Sequence, residues 1–84
     1  MSVEADFEAD IDDTCDRMAE RKPSRAQLRM RGFIQKDWND YMNGFQAIKR
    51  KAHNCLESEY AHYQSQVRRH EALVATKFGV EQHR

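Results

Sequence analysis

The chain has 84 residues, with 14 Lys+Arg against 14 Asp+Glu, a formal net charge of zero, and 39% apolar against 33% charged residues. That length allows one small domain, residues 1–84, whose own core is thermodynamically marginal, so self-association or a partner is expected to supply part of the stability. No run of about 18 apolar residues is present, which excludes a transmembrane helix, and two cysteines make no disulfide framework.

The first residues, Met1-Ser2-Val3-Glu4-Ala5-Asp6, have neither a basic start nor an apolar stretch, so no secretory signal is expected. A cytoplasmic, reducing setting follows as the expectation. The zero net charge divides unevenly. Residues 1–20 carry eight carboxylates and Arg17 alone, a net of −7, and residues 21–84 carry the compensating +7. The acidic segment either folds back on its basic neighbour or faces a partner, and the sequence leaves both open.

The first element is an acidic helix over 3–20. Val3, Phe7, Ile11, Cys15 and Met18 fall at steps of four, four, four and three, so they share one face and carboxylates cover the rest. Acidic residues early in a helix complement the positive end of its dipole. Pro23 ends the segment.

Ser24 with Gln27 has the spacing of a capping box, and the next firm stop is Phe78-Gly79, where glycine suits the position past a helix end. Between them the pattern predicts one long helix, about 25–77, roughly 80 Å in length. Its stripe runs Ile34, Trp38, Tyr41, Phe45, Ile48, Ala52, Leu56, Tyr60, Tyr63, Val67, His70 and Val74. That is a heptad seam with one stutter across Ala52 to Tyr60. A hinge near 53–55 is the competing reading, with the halves folded back as a hairpin, but Asn54 is a weak breaker and continuity is favoured. A lone helix of that length cannot bury its stripe. The expected fold is therefore all-α: a short N-terminal amphipathic helix and a long helix that assemble as an oligomeric coiled coil or helical bundle, dimer or tetramer. Ile34, Trp38, Tyr41, Phe45, Ile48, Leu56, Tyr60, Tyr63, Val67 and Val74 would form the interface between copies. The large aromatics favour an antiparallel or four-helix arrangement over a tight parallel dimer. Gly32 and Gly44 fall inside this helix, each costing about 1 kcal/mol relative to Ala, and mark either close backbone approach or open surface.

Chemistry-bearing patterns are few. Cys55, Glu59 and His62 share a helix face, but zinc needs a fourth ligand and none is paired with them. No nucleophile, base and orienting group come together, and no glycine-rich loop is present to cradle phosphate. No enzyme activity, cofactor or metal is expected, nor membrane binding, because the basic stretch from Arg21 to Lys36 lacks a clean apolar face.

Two functional readings remain. In the first, the carboxylate-rich helix resembles a phosphate backbone to a basic surface, so Asp6, Phe7, Asp10, Ile11 and Asp13 dock on a protein partner, such as a DNA-binding protein. In the second, Arg21, Lys22, Arg25, Arg29, Lys49, Arg50 and Lys51 bind nucleic acid through the basic segments 21–36 and 49–51. No short glycine turn between two helices is apparent, so no helix-turn-helix is expected. In layout, the acidic segment from Val3 to Met18 followed by an aromatic-lined helix from Phe33 to Phe78 resembles small phage-encoded helical regulators of the antirepressor group. The resemblance implies a protein that binds and inactivates a transcriptional repressor, and it carries over no functional residue.

Overall fold

The structure, a computed structural model, describes residues 2–80. It is all-helical, with no strand among the described residues. Four α-helices follow in order: α1 (Val3–Glu20), α2 (Arg25–Met30), α3 (Gln35–Ala52) and α4 (Tyr60–Phe78), with a single 3-10 turn, Glu57–Glu59, leading into α4. They pack against one another in a body of 43 × 22 × 16 Å.

The acidic helix forms over the expected span. The Ser2 hydroxyl accepts from the amide of Ala5 at 3.1 Å, which satisfies one of the amides left unpaired at a helix start. Its apolar face is buried as the spacing predicts, with Phe7, Ile11, Cys15 and Met18 at most 3% exposed. Val3, one turn earlier, remains 61% exposed.

The region from 25 to 77 corrects the expectation of one long helix. The chain breaks twice, at 31–34 and at 53–56. At the first break Gly32 takes φ +83, the amide of Phe33 donates to the Leu28 carbonyl at 2.9 Å, and that of Gly32 to the Arg29 carbonyl at 3.0 Å. These two bonds close a Schellman motif, in which the glycine enters the left-handed region without a Cβ penalty. Gly32 is thus a helix stop, not a helix interior residue. The second break falls on the stutter. The Asn54 side-chain amide donates to the Arg50 carbonyl at 2.9 Å, and Leu56 is extended at φ −80, ψ 154. A side chain that satisfies its own helix's carbonyl lets the backbone leave the ladder.

Both restarts use one device. The Asp37 carboxylate accepts from the Ile34 amide at 2.8 Å, and the Glu59 carboxylate from the Leu56 amide at 2.9 Å. The Ser24–Gln27 capping box that starts α2 does the same, Gln27 Oε1 accepting from the Ser24 amide at 2.9 Å. In each case an acceptor three residues on secures the amide of the residue before the helix.

Folding back changes what the seam does. Cys15 Sγ donates to the Phe45 carbonyl at 3.8 Å while Lys49 reaches Asp12, so α3 runs antiparallel to α1. Trp38 and Tyr41 meet Phe78 while Phe45 meets His70, so α3 is also antiparallel to α4. Phe7 stacks on Tyr60 with ring centroids 3.9 Å apart, and Asp10 meets Gln64, so α1 and α4 run parallel. Trp38, Phe45, Ile48, Val67 and Val74, expected between copies, are buried inside one chain instead, together with Leu28 and Phe78. Tyr41, Tyr60 and Tyr63 pack half-buried against that core. Ile34 and Leu56, at the two breaks, are 64% and 70% exposed. The physical reason is length. The 18 residues of α3 and the 19 of α4 are nearly equal, so a hairpin matches their apolar faces locally, where an intermolecular seam would first have to bring two chains together.

Candidate functional site

The acidic helix is part of the core, and its carboxylates fall into two groups. One faces the bundle. Asp12 Oδ1 lies 2.8 Å from His53 Nε2 and 3.8 Å from Lys49 Nζ, and Glu8 lies 3.7 Å from His53 Nδ1. Asp10 Oδ2 accepts from Gln64 at 3.2 Å and from Arg68 at 3.4 Å. These partly exposed ion pairs orient α1 against α3 and α4 more than they stabilise it, since such pairs contribute about 0–1 kcal/mol each. The other group faces water. Glu4, Asp6, Asp13, Asp16 and Glu20 are exposed, and among the described residues none of them makes an ion pair. From Asp6 to Glu20 this ridge is about 21 Å long.

The expected contact surface of Asp6, Phe7, Asp10, Ile11 and Asp13 is therefore divided by the fold. Phe7 and Ile11 are 3% and 0% exposed, because the stripe they belong to is the one that faces α3 and α4. Asp10 is held by α4, and only Asp6 and Asp13 remain on the outer face, joined there by Asp16 and Glu20.

The basic residues separate in the same way. Lys22, Arg25 and Arg29 are exposed and Arg21 is half-buried at the end where α1 stops and α2 begins. Lys49, Arg50 and Lys51 lie in the last turn of α3, at the opposite end of an 18-residue helix that is about 27 Å long. The structure does not bring the two clusters together. At the first end Arg21, Lys22 and Arg31 line a cleft of about 420 Å³ over Pro23, Phe78 and Val80, with the Arg31 guanidinium against Gly79. The C-termini of α1 and α4 both point here, and cations at such ends complement the helix dipole.

One polar layer escaped the sequence reading. With residue 7 on 60 and 10 on 64, the α1–α4 register brings Arg17 level with Glu71. Glu71 is 8% exposed, and Arg17 Nε and Glu71 Oε2 are both buried without a hydrogen-bond partner. Arg17 Nη2 donates to Thr14 Oγ1 at 3.3 Å, whose hydroxyl donates to the Asp10 carbonyl at 2.9 Å. A lone arginine in a helix of carboxylates is the sequence signal at this position, since Arg17 is the one cation of α1.

Among the described residues no group of three His, Cys, Asp or Glu side chains is placed to hold a metal ion. Glu59, considered with Cys55 and His62, is engaged instead as the acceptor that starts the last helical segment. The two thiols are unpaired. Burial pushes the Cys15 thiol from 9.0 up to about 11, with the Lys49 charge opposing and the Asp12 and Asp16 charges adding to the rise. Burial and then the Glu59 charge also raise Cys55. Iodoacetamide at about pH 8 is expected to alkylate half-exposed Cys55 well before Cys15, as read by mass spectrometry, since the thiolate is the nucleophile and Cys15 must wait for opening. The unfolded chain releases the Cys15 proton at about 9 and the folded chain at about 11. Stability contributed by keeping this thiol neutral is therefore present below pH 9 and lost as pH rises through that window.

Comparison with protein-family models, curated proteins and solved structures finds no match to this chain.

Proposed function

We propose that this chain is a non-enzymatic helical protein that binds and regulates another protein in the cytoplasm, inactivating a DNA-binding repressor in the manner of a phage antirepressor. The contact surface is the outer face of α1. The observation that carries this reading is the division of the α1 carboxylates: Glu8, Asp10 and Asp12 are matched by α3 and α4, whereas Asp6, Asp13, Asp16 and Glu20 are left facing water on a rigid helix. Four like charges in a row repel one another and cost stability in isolation. A basic surface shaped to receive phosphates relieves that repulsion and is drawn in by the same field. Self-association belongs to the proposal as well. Val3 and Leu56 at one end, and Met30 and Ile34 at the other, are large apolar side chains 49% or more exposed, as is Leu73 on α4.

Affinity capture from nuclease-treated native lysate tests this reading. The wild-type chain is expected to retain a basic DNA-binding protein at about 50 mM salt and release it at about 500 mM, where the screening length falls to a few ångströms. The variant Asp6→Asn/Asp13→Asn/Asp16→Asn/Glu20→Gln is expected to lose it while melting as the wild type does. Capture of the same proteins by both forms would overturn the reading.

A further inference from the structure

The outer face of α3 differs in chemistry from the outer face of α1. Lys36, Asn39, Asn43, Gln46 and Arg50 follow one another at steps of three, four, three and four and are all exposed. They lie opposite Trp38, Phe45, Ile48 and Ala52, which are buried. The row is about 21 Å long. Its centre consists of three carboxamides and its ends are cationic, with Lys51 beside Arg50. One carboxylate interrupts it, Asp40, paired with Lys36 at 3.2 Å.

Asparagine is a poor helix former, roughly half a kcal/mol below alanine at an exposed interior site. Asn39 and Asn43 are exposed, and among the described residues the only bond made by either side chain is that of Asn39 Oδ1, which accepts from Gln35 at 3.1 Å. The outer face of α1, by contrast, carries the charges of Asp6, Asp13, Asp16 and Glu20. Carboxamides each offer a donor and an acceptor side by side, and that pair matches the N6 and N7 edge of adenine in the DNA major groove.

The frame around α3 supports the same reading. The sequence showed no glycine turn between helices, but the structure forms one: α2, then Gly32 at φ +83, then α3. A short helix, a tight glycine turn and a second helix with a free polar face is the order by which helix-turn-helix proteins offer a helix to the major groove. Arg25 and Arg29 are exposed on α2, the helix that precedes α3 across the glycine turn, and cations on such a helix can meet phosphates that flank the groove. The carboxylates that would repel DNA are on another side. The outer faces of three packed helices point about 120° apart, and beyond about 10 Å their charges are screened at 0.1 M salt.

We infer that the outer face of α3 is a contact surface for double-stranded DNA. Asn39, Asn43 and Gln46 reach base edges in the major groove, and Lys36, Arg50 and Lys51, with Arg25 and Arg29 of α2, neutralise flanking phosphates. The inference stands apart from the protein-binding role of α1, since the two faces share no residue.

Fluorescence anisotropy with labelled mixed-sequence duplexes of about 24 base pairs tests it, using the full chain at about 50 mM KCl. Micromolar binding is expected, weakening roughly 500-fold by about 200 mM KCl if the five named cations bear on phosphates. The variant Arg50→Ala/Lys51→Ala, changed only at exposed positions, is expected to bind at least about tenfold more weakly with its circular dichroism melt unchanged. Asn43→Ala/Gln46→Ala is expected to lose preference among duplexes selected from a random pool while keeping most of the salt-dependent affinity. Neutralising the α1 ridge is expected to leave duplex binding equal or stronger. Three results would each overturn the inference: no anisotropy change with about 50 μM protein, equal affinity of the Arg50/Lys51 variant, or a single strand bound as tightly as the duplex.

Discussion

Replacing Phe45 by alanine is expected to remove about 3–5 kcal/mol of stability, the range for deleting a buried aromatic side chain. A domain of this length has roughly 4–13 kcal/mol in total at ordinary per-residue values, so the variant stands at the edge of unfolding. Phe45 is 1% exposed and lies where all three long helices meet. Its carbonyl receives Cys15 Sγ from α1 at 3.8 Å, and its ring meets the edge of His70 from α4 at 4.4 Å and 82°. No surrounding element can close the gap without pulling away from another. Urea unfolding followed by circular dichroism and by Trp38 fluorescence measures the loss as a lowered midpoint at constant slope.

The same experiment on Ile34→Ala and Leu56→Ala, run at a dilution where copies separate, distinguishes the fold described here from a seam shared between chains. In such a seam these residues are equivalent to Phe45. In the single folded-back chain they are 64% and 70% exposed, and surface truncations away from special features change stability by about 0.5 kcal/mol or less. A loss at Leu56 as large as that at Phe45 would show that the apolar residues at the breaks are buried against a second copy.

Legibility in the sequence followed physical kind. The apolar spacing of Phe7, Ile11, Cys15 and Met18, and of Trp38, Phe45, Ile48, Val67 and Val74, was readable because helical periodicity reports which side of a cylinder is dry. Periodicity does not report what covers that side. The heptad steps are the same whether α4 returns along α3 or a second chain arrives, so the seam was legible and its partner was not. The starts divide similarly. Ser24-Gln27 was legible because a hydroxyl residue and an amide three apart form a known cap. Ile34-Asp37 and Leu56-Glu59 make the same return bond from the carboxylate, but an aliphatic residue at the cap position hides it. Gly79 was readable as a stop because the apolar stripe ended there. Gly32 was not, because the stripe resumed two residues later.

The candidate surfaces were less legible than the core, for an electrostatic reason. A list of carboxylates does not say which will find cations. Asp10 and Asp13 are both carboxylates of the same helix, yet one is held by Gln64 and Arg68, 54 and 58 residues away along the chain, and the other faces water. Long-range contacts of that kind decide which charges are internal. The overall charge of zero is thus partly an internal balance, with Lys49 and Arg68 drawn to α1, and partly two unmatched surfaces on different helices.

Gly44→Ala is expected to reverse the usual sign of a glycine replacement in a helix. Alanine at an interior helical position normally stabilises by about 1 kcal/mol, and Gly44 lies ten residues into α3 with ordinary helical backbone. A Cβ there, however, would stand 2.8 Å from Nε2 and 2.9 Å from Cε1 of His70. A free side chain would swing aside, but this one is fixed. Its Nε2 lies 2.9 Å from the Tyr41 carbonyl, which can only accept, so Nε2 carries the proton and donates. Phe45 and Tyr41 flank the ring at 4.4 and 5.9 Å. Moving it breaks that bond and leaves a part-buried donor unpaired, which costs about 1–3 kcal/mol, and leaving it in place overpacks the α3–α4 contact at a similar cost. Set against the usual gain of about 1 kcal/mol, the net expectation is a loss of up to about 2 kcal/mol, a melting temperature lower by up to roughly 16 °C for a domain of this size. Glycine at 44 is the concession that lets the His70 imidazole lie on the backbone of α3 and lock the hairpin. In a His70→Ala background the obstacle is gone and Gly44→Ala should stabilise by up to about 1 kcal/mol, so the two substitutions couple with opposite signs in a double-mutant cycle. A melting temperature raised by Gly44→Ala in the otherwise native chain would mean that α3 and α4 do not approach at this level, and with that the antiparallel hairpin itself would fall.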